Sequence, residues 1–260
     1  MKQEGTTKGY SVPNLERALE IIETLTIHRN GLTLTQLQEL LSFPKSSIFR
    51  IISTLTERGY LLKSQVDGRF TLSKKFLRIG LSTMNESSIV ETTLPYMRAI
   101  RDELNETVLL GALIDKKGVI LEQVVGNQGF TFVLTVGNSY QLHASAPGKA
   151  VIAFLPIEEQ EAVIDTFEWT RFNDRTITTK KEYQEELISV REHGYALDRA
   201  EELDGVYCVG APIFNQYGYP IAAMWVTAPS ARLDLSHLCE AGEKIKTMAL
   251  EVSKIYGYEH

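Results

Sequence analysis

The stretch from Thr33 to Arg58 constrains the fold of this 260-residue chain more than any other. It reads TLTQLQELLSFPKSSIFRIISTLTER. Thr33 and Gln36 stand three residues apart, as in a capping box, so the spacing predicts a helix from about Leu34. Proline is tolerated in a first helical turn but not in a helix interior. Pro44 therefore predicts a second helix, which runs to about Arg58 after a tight corner.

The second helix has two faces of different chemistry. The residues of its apolar face, which follow the helical period and must pack inward, are Ile48, Ile51, Ile52 and Leu55. The opposite face is Lys45, Ser46, Ser47, Phe49, Arg50, Ser53 and Thr54. Hydroxyls, cations and an aromatic ring suit contact with phosphates and base edges, and this helix has no acidic residue before Glu57. The two helices therefore predict a helix-turn-helix whose second helix reads DNA.

A predicted hairpin follows the second helix. Its strands, YLLKSQ and RFTLS, flank Asp67-Gly68, a dipeptide typical of hairpin turns. A polar helix face alone is also found in many small helical domains, but a hairpin at this place is a wing and favours a winged helix-turn-helix. The wing would bring Lys63, Gln65 and Arg69 near the DNA backbone or the minor groove. The candidate DNA contacts are Thr35, Lys45, Ser46, Ser47, Phe49, Arg50, Lys63 and Arg69.

Charge is distributed unevenly along the chain. Residues 1–84 hold twelve Lys or Arg against seven Asp or Glu, a net charge of +5. The remaining residues carry −11, which gives −6 for the whole chain. A basic head on an acidic body is typical of a DNA-binding domain joined to a domain of another kind. The length of 260 residues also favours two domains.

Two further helices are predicted around the central stretch. One precedes it, with Asn14 as its cap and an apolar stripe that supports the core. The other, at residues 74–85, is a linker helix. Its apolar residues are Phe76, Leu77, Leu81 and Met84. A stripe with no core of its own is commonly a dimer contact, and two recognition helices need a dimer to read a palindrome.

Residues 86–260 alternate between strand and helix patterns. A helix opens at Ser88, which forms a capping box with Glu91. Hairpins are predicted at about 108–125 and 205–228, a third strand at 130–136, and helices at about 146–154, 158–167, 180–193 and 235–256. Antiparallel strands with helices around them indicate an α+β domain with one covered sheet face. The predicted domains are therefore residues 1–73, 74–85 and 86–260.

Composition argues against several classes of protein. With 43% hydrophobic and 23% charged residues the chain is ordinary for a globular protein. Cys208 and Cys239 are its two cysteines, so neither a disulfide framework nor a zinc site is indicated, and no metal or cofactor is expected. No apolar run approaches the ~20 residues of a membrane span, and the first residues lack a hydrophobic signal core. We expect a cytoplasmic protein with no membrane partner.

Four motifs in the chain carry a family resemblance. The first is GYALDRAE at 194–201, followed after six residues by the second, CVGAPIFN at 208–215. This pair is similar to the signature of the IclR family of bacterial transcriptional regulators. LHASAPGKA at 142–150 looks like the second hallmark of that family, and LERALEIIETL and PKSSIFRIISTLTERGYL look like its winged N-terminus. The resemblance covers nearly the whole chain.

The resemblance implies a winged helix-turn-helix, a linker helix and a GAF-like (profilin-like) effector-binding domain, assembled as homodimers or homotetramers. Members of the family bind small organic molecules, often carboxylic acids, and thereby regulate catabolic operons. We therefore expect a repressor of double-stranded operator DNA whose effector is a small carboxylic or sugar acid. The positions that match the ligand pocket are Ser145, Ala146, Pro147, Asp198, Cys208, Trp225 and Thr227. Pro147 replaces a residue that is usually small and carries an N–H in relatives, and Trp225 replaces a small or hydroxylated one.

An enzyme with a DNA-binding appendage is the alternative. Cys208, His143 and Asp198 are residue types from which a nucleophile, a base and an orienting group could be built. Cys208, however, lies in the apolar strand VYCVGAP, where a cysteine usually behaves as a small buried hydrophobe. The five histidines are scattered, which argues against a metal sensor. No catalytic residue is therefore expected.

Overall fold

The computed structural model describes residues 12–28, 30–82 and 89–259. The chain forms two compact units, and the division falls between Glu86 and Ser87. None of the helices within these ranges is long and apolar enough to cross a membrane. Each unit has its own core.

The N-terminal unit begins with three helices: α1 (Pro13–Ile27), α2 (Leu34–Leu41) and α3 (Lys45–Glu57). The predicted capping box is confirmed, since the Thr33 side chain accepts from the Gln36 N–H while the Gln36 side chain accepts from the Thr33 N–H. The prediction that Asn14 caps α1 is wrong. Pro13 occupies the first turn, and the Val12 carbonyl accepts the N–H groups of Leu15 and Glu16.

The corner between α2 and α3 places the apolar face of α3 in the core. Ser42 ends α2 in the left-handed conformation, with φ of 54°, and α3 begins directly after Pro44. The predicted inward face of α3 is confirmed, because Ile48, Ile51 and Ile52 are buried. The side chains that enclose them are Ile21, Leu25, Leu32, Leu37, Leu61 and Phe70.

The wing consists of β1 (Leu61–Lys63) and β2 (Phe70–Leu72), which pair antiparallel. The two strands are shorter than predicted, since Ser64 accepts the N–H groups of Val66 and Asp67 and turns the chain early. Gly68 has φ of 67°, the left-handed conformation that favours glycine. A bridge from Leu32 to Phe70 joins the wing to the helices.

A short helix, α4 (Lys75–Ser82), follows the wing where the linker helix is predicted. Its first turn is fastened to the N-terminal unit. Phe76 packs on Tyr60 with ring centroids 5.3 Å apart, and the Lys75 ammonium donates to the Arg58 carbonyl at 2.8 Å. The rest of the predicted stripe, namely the side chains of Leu77 and Leu81 and the whole of Met84, lies outside the described residues, as does the predicted cap Ser88.

The C-terminal unit is built on an antiparallel sheet of six strands in the order β5-β4-β3-β8-β7-β6. In chain order the strands are β3 (Thr107–Ile114), β4 (Lys117–Val124), β5 (Ser139–Tyr140), β6 (Ala196–Arg199), β7 (Val206–Phe214) and β8 (Pro220–Pro229). The two predicted hairpins are β3-β4 and β7-β8.

Helices cover both faces of this sheet. They are α5 (Ile89–Leu104), α6 (Ala146–Ile152), α7 (Ile157–Ile164), α8 (Lys180–His193) and α9 (Leu235–Ile255). On β8, Met224 and Val226 pack with α5 and α9, whereas Ala223 packs with the side chains of α6, α7 and α8. The prediction of one covered face is therefore wrong, because β7 and β8 are buried on both sides along most of their length.

The predicted third strand at residues 130–136 is also wrong. The segment is rich in β-branched and aromatic residues, but it has no regular ladder with β4. Instead, the Gln123 side chain accepts from the Leu134 N–H at 3.0 Å and donates to the Leu134 carbonyl. The Thr107 hydroxyl donates to the Phe132 carbonyl at 2.8 Å. We call residues 127–138 the strap, since side chains of β3 and β4 hydrogen-bond to its main chain.

Candidate functional site

The polar face of α3 is exposed in the N-terminal unit. The exposed residues on this face are Lys45, Ser46, Phe49, Arg50, Ser53 and Thr54. Thr35 on α2 and Lys63 on β1 are exposed as well. Phe49 leaves 59% of its surface in solvent, so its ring is accessible to a partner. The helix thus presents donors, two cations and a ring on one accessible surface, without an acidic side chain before Glu57.

Two of the candidate DNA contacts are engaged within the domain. The Ser47 hydroxyl accepts from the Arg17 guanidinium at 3.2 Å. The Arg69 guanidinium donates to the Gly31 carbonyl at 2.7 Å and lies 3.1 Å from the Asp67 carboxylate. Ser47 and Arg69 therefore brace the helix and the wing, and the accessible cations of the candidate surface are Lys45, Arg50 and Lys63. Sequence reasoning overlooked Arg17, because its position on α1 resembles that of any solvated charge.

A cavity of about 180 Å³ lies in the C-terminal unit between the sheet, the start of α6 and the strap. Its lining residues are Ile120, Phe132, Leu134, Thr135, Asn138, Ser139, Tyr140, Ser145, Pro147, Asp198, Glu202, Leu203, Val206, Cys208, Trp225 and Thr227. Pockets that hold drug-sized ligands measure roughly 300–1,000 Å³, so this cavity suits a smaller molecule. Six of the seven positions implied by the resemblance line it. The seventh, Ala146, is fully buried behind the wall.

Strand register explains why distant residues meet at the cavity. Asp198 on β6 lies opposite Cys208 on β7, which in turn lies opposite Thr227 on β8. Directly opposed residues point to the same face of a sheet, so the three side chains form a row. The Cys208 thiol is 3.4 Å from the Thr227 hydroxyl, and the Asp198 carboxylate accepts the Glu201 N–H at 2.8 Å.

A buried ion-pair network lies beside this row. The Lys149 ammonium is fully buried, 2.6 Å from the Glu201 carboxylate and 3.3 Å from that of Glu186. Burial alone would lower the pKa of Lys149, but Glu201, Glu186 and Asp198 together raise it, so the ammonium stays charged. Sequence reasoning had no signal for this network, since nothing in the spacing of Lys149 and Glu201 pairs them.

Asp198 is the most perturbed carboxyl group of the cavity. Burial raises its pKa to about 7, with a smaller contribution from Glu201, while the nearby Lys149 ammonium opposes the shift. The group therefore changes its protonation state near neutral pH. Burial also raises the pKa of Glu202.

An aromatic pair forms one wall of the cavity. The rings of Tyr140 and Trp225 have centroids 5.3 Å apart. The Tyr140 ring lies against Gly118, where a Cβ atom would come within 2.3 Å of it, so glycine is needed at that position. The Tyr140 hydroxyl is buried and has no hydrogen-bond partner among the described residues, and burial raises its pKa. The hydroxyl therefore stays neutral.

The residues proposed for the enzyme alternative are not assembled. His143 packs among the rings of Phe167, Trp169 and Phe172, and its Nε2 atom lies 3.0 Å from the Thr170 carbonyl. It does not line the cavity that contains Cys208. Burial, together with the Asp198 charge, raises the pKa of Cys208 well above its ordinary value, so the thiol is a poor nucleophile. Within the described residues there is no cluster of His, Cys, Asp and Glu that could hold a metal ion.

Comparisons with known proteins agree along most of the chain. An IclR helix-turn-helix family model matches residues 14–64, and the model described as bacterial transcriptional regulator IclR C-terminal matches residues 81–254. The HTH-type transcriptional regulator XynR of Escherichia coli is 27% identical over 247 residues, 95% of this chain and 98% of that protein. KipR of Bacillus subtilis, also an HTH-type transcriptional regulator, is 30% identical over 234 residues, 90% of this chain and 93% of its own length.

A solved structure supports the same fold. An IclR homologue from Microbacterium hydrocarbonoxydans, crystallised in complex with 4-hydroxybenzoate, superposes with a TM-score of 0.81 at 20% identity, covering 93% of this chain and 98% of that one. The fold, the two family matches and the curated relatives point the same way. The chain belongs to the IclR family of bacterial transcriptional regulators.

Proposed function

We propose that this protein is a ligand-responsive repressor that binds double-stranded operator DNA through α3 and the wing. The observation that carries the proposal is the exposed face of α3, which combines Lys45, Arg50 and Phe49 and has no acidic side chain within it. Arg recognises guanine edges, and an apolar ring can contact a thymine methyl group. Lys63 on the wing would contact the phosphate backbone.

The second part of the proposal is an effector site in the cavity of the C-terminal unit. A small carboxylic or sugar acid is the effector class that the family resemblance implies, and 4-hydroxybenzoate is bound by the Microbacterium homologue. The small volume and the mixture of aromatic and polar walls support a ligand of this size. The chain acts as a homodimer or homotetramer without a cofactor, and it catalyses no reaction, since Cys208 and His143 lie in different surroundings.

Selection from a random duplex library, followed by fluorescence anisotropy with the selected sequence, tests the proposal. We expect a palindromic site, because a symmetric dimer reads two half-sites about one helical turn apart or a multiple of it. An effector should then release the duplex. Arg50→Ala should reduce enrichment of the palindrome, whereas Lys181→Ala removes an exposed cation from the C-terminal unit and serves as the control. If the purified protein enriches no sequence, the repressor function is wrong.

A further inference from the structure

The walls of the cavity carry negative charge without a compensating cation. Asp198 and Glu202 are acidic, and the described residues that line the cavity include no Lys, Arg or His. The nearby Lys149 ammonium is already paired with Glu201 and Glu186. A carboxylate that entered from solvent would therefore meet like charge in a site of low dielectric constant, which is unfavourable.

Several hydrogen-bond donors near Asp198 are already in use. Pro147 has no N–H, and the Ser145 hydroxyl donates to the Gln141 carbonyl. The Cys208 thiol and the Thr227 hydroxyl share one hydrogen bond, in which either can be the donor. The other hydroxyl and amide side chains of the lining, those of Thr135, Asn138 and Ser139, are neutral. None of these groups offsets the charge of an incoming carboxylate.

We propose that the cavity binds a monocarboxylic acid together with one proton from solvent, which the effector shares with Asp198. The proposal rests on the proposed effector function of the cavity. No covalent bond forms, and the complex gains one proton relative to the free protein and the free carboxylate. Two carboxyl groups in one water-poor site cannot both ionise, which is why the proton is needed.

The electrostatics around Asp198 support this reaction. Burial already raises its pKa to about 7, so the proton costs little near neutral pH. Besides Lys149, the titratable groups that face this region from the packed elements are Tyr140, Tyr183, Glu186, Glu201, Glu202 and Cys208. The tyrosines and the cysteine stay neutral because burial raises each pKa. We therefore assign the proton to Asp198, whose pKa is about 7.

The pH dependence follows from linkage. The acid binds the form of the protein in which Asp198 is protonated, so affinity is constant below the pKa of about 7 and falls about tenfold per pH unit above it. From about pH 6 to about pH 8.5 the dissociation constant should rise roughly 30-fold. An uncharged amide analogue needs no proton, so its affinity should not change.

Titration calorimetry with the full chain tests this. The probes are 4-hydroxybenzoate, D-gluconate and pyruvate, each compared with its amide. Titrations in two buffers of different ionisation enthalpy give the number of protons taken up per bound acid. We expect uptake of about one proton per bound acid at about pH 8.5. Asp198→Asn should abolish the pH dependence of the affinity.

Proton uptake is measured on the wild-type protein, so it tests the proposal even if Asp198→Asn fails to fold. Affinity independent of pH, binding without proton uptake, or no binding of any of the three acids would overturn the proposal. A protein that binds its operator and responds only to uncharged molecules would refute this inference and leave the repressor function standing. A protein that binds no operator would refute the repressor function instead.

Discussion

The Lys149 ammonium and the Glu201 carboxylate form a 2.6 Å ion pair in the interior of the C-terminal unit, and both side chains are almost inaccessible to solvent. Glu201 comes from the loop after β6, so the pair joins α6 to the strand that carries Asp198. A buried charge is tolerated only when it is paired. The pair therefore fixes one wall of the cavity.

Replacement of Lys149 by Met should destabilise the C-terminal unit by about 3–5 kcal/mol, because Glu201 is left as an uncompensated buried charge. Urea unfolding followed by tryptophan fluorescence measures this, since both tryptophans, Trp169 and Trp225, belong to that unit. The double change Lys149→Met with Glu201→Leu should recover much of the loss. Lys180→Ala breaks an exposed pair with Asp165 and should leave the transition nearly unchanged. Equal effects of the two lysine changes would contradict the prediction.

Arg50→Ala should weaken binding to the selected operator by about 1–3 kcal/mol if the guanidinium reads a base. Binding to unrelated duplexes should fall much less, because a base contact adds nothing at a wrong sequence. Anisotropy titrations with operator and scrambled duplex measure both. A uniform loss on the two duplexes would show that Arg50 contacts phosphate only.

Lys63→Ala and Arg69→Ala should differ although both residues lie on the wing. Lys63 is exposed, so its loss should lower affinity for all sequences and reduce the salt slope by about one unit. Arg69 holds the Gly31 carbonyl and Asp67, so its loss should loosen the N-terminal unit. Hydrogen exchange of β1 and β2 in the free protein separates the two effects. Faster exchange in the Lys63 variant than in the Arg69 variant would reverse this assignment.

Iodoacetamide at about pH 8 should alkylate Cys239 well before Cys208. Cys239 is exposed, whereas burial raises the pKa of Cys208 and keeps it in the unreactive thiol form. Because the pKa lies far above the ordinary value, a rise in pH should increase labelling of Cys208 only slightly until the unit unfolds. Peptide mass spectrometry measures both sites, and unfolding in urea should make them equally reactive. Rapid labelling of native Cys208 would revive the enzyme alternative.

Effector and operator should affect each other's affinity by the same factor. Coupling energies between sites are typically about 1–3 kcal/mol, or roughly 5–150-fold, and they are reciprocal. Calorimetric titration of the effector with and without operator duplex measures the factor from one side, and anisotropy measures it from the other. Equal effector affinities in both titrations would mean that the two sites are not coupled.

Local patterns in the sequence predict most of the secondary structure. The capping box at Thr33, the periodicity of α3 and the hairpins depend on neighbouring residues, so they can be recognised without the fold. The strand prediction for residues 130–136 fails because the Gln123 side chain, rather than the main chain of a neighbouring strand, forms the hydrogen bonds with Leu134. No local pattern contains that information.

The candidate site can likewise be predicted from the sequence only in part. The family motifs indicate Asp198, Cys208 and Thr227, and the register of three strands explains why they form a row. The partners of Lys149 and the unpartnered Tyr140 hydroxyl depend on packing between distant elements. These features can be identified only from the structure.

The manner in which the strap is held has an evolutionary consequence. Its backbone is fastened by Gln123 and Thr107, which are side chains of other strands, and the Arg232 guanidinium donates to the Phe130 carbonyl at 2.9 Å. These hydrogen bonds involve only main-chain atoms of the strap, so they do not depend on which side chains the strap carries. Phe132 and Leu134, which line the cavity, can thus be replaced while these hydrogen bonds stay in place. Exchange of a few strap residues should therefore change which molecule the proposed effector site accepts, while the sheet that supports the strap stays the same.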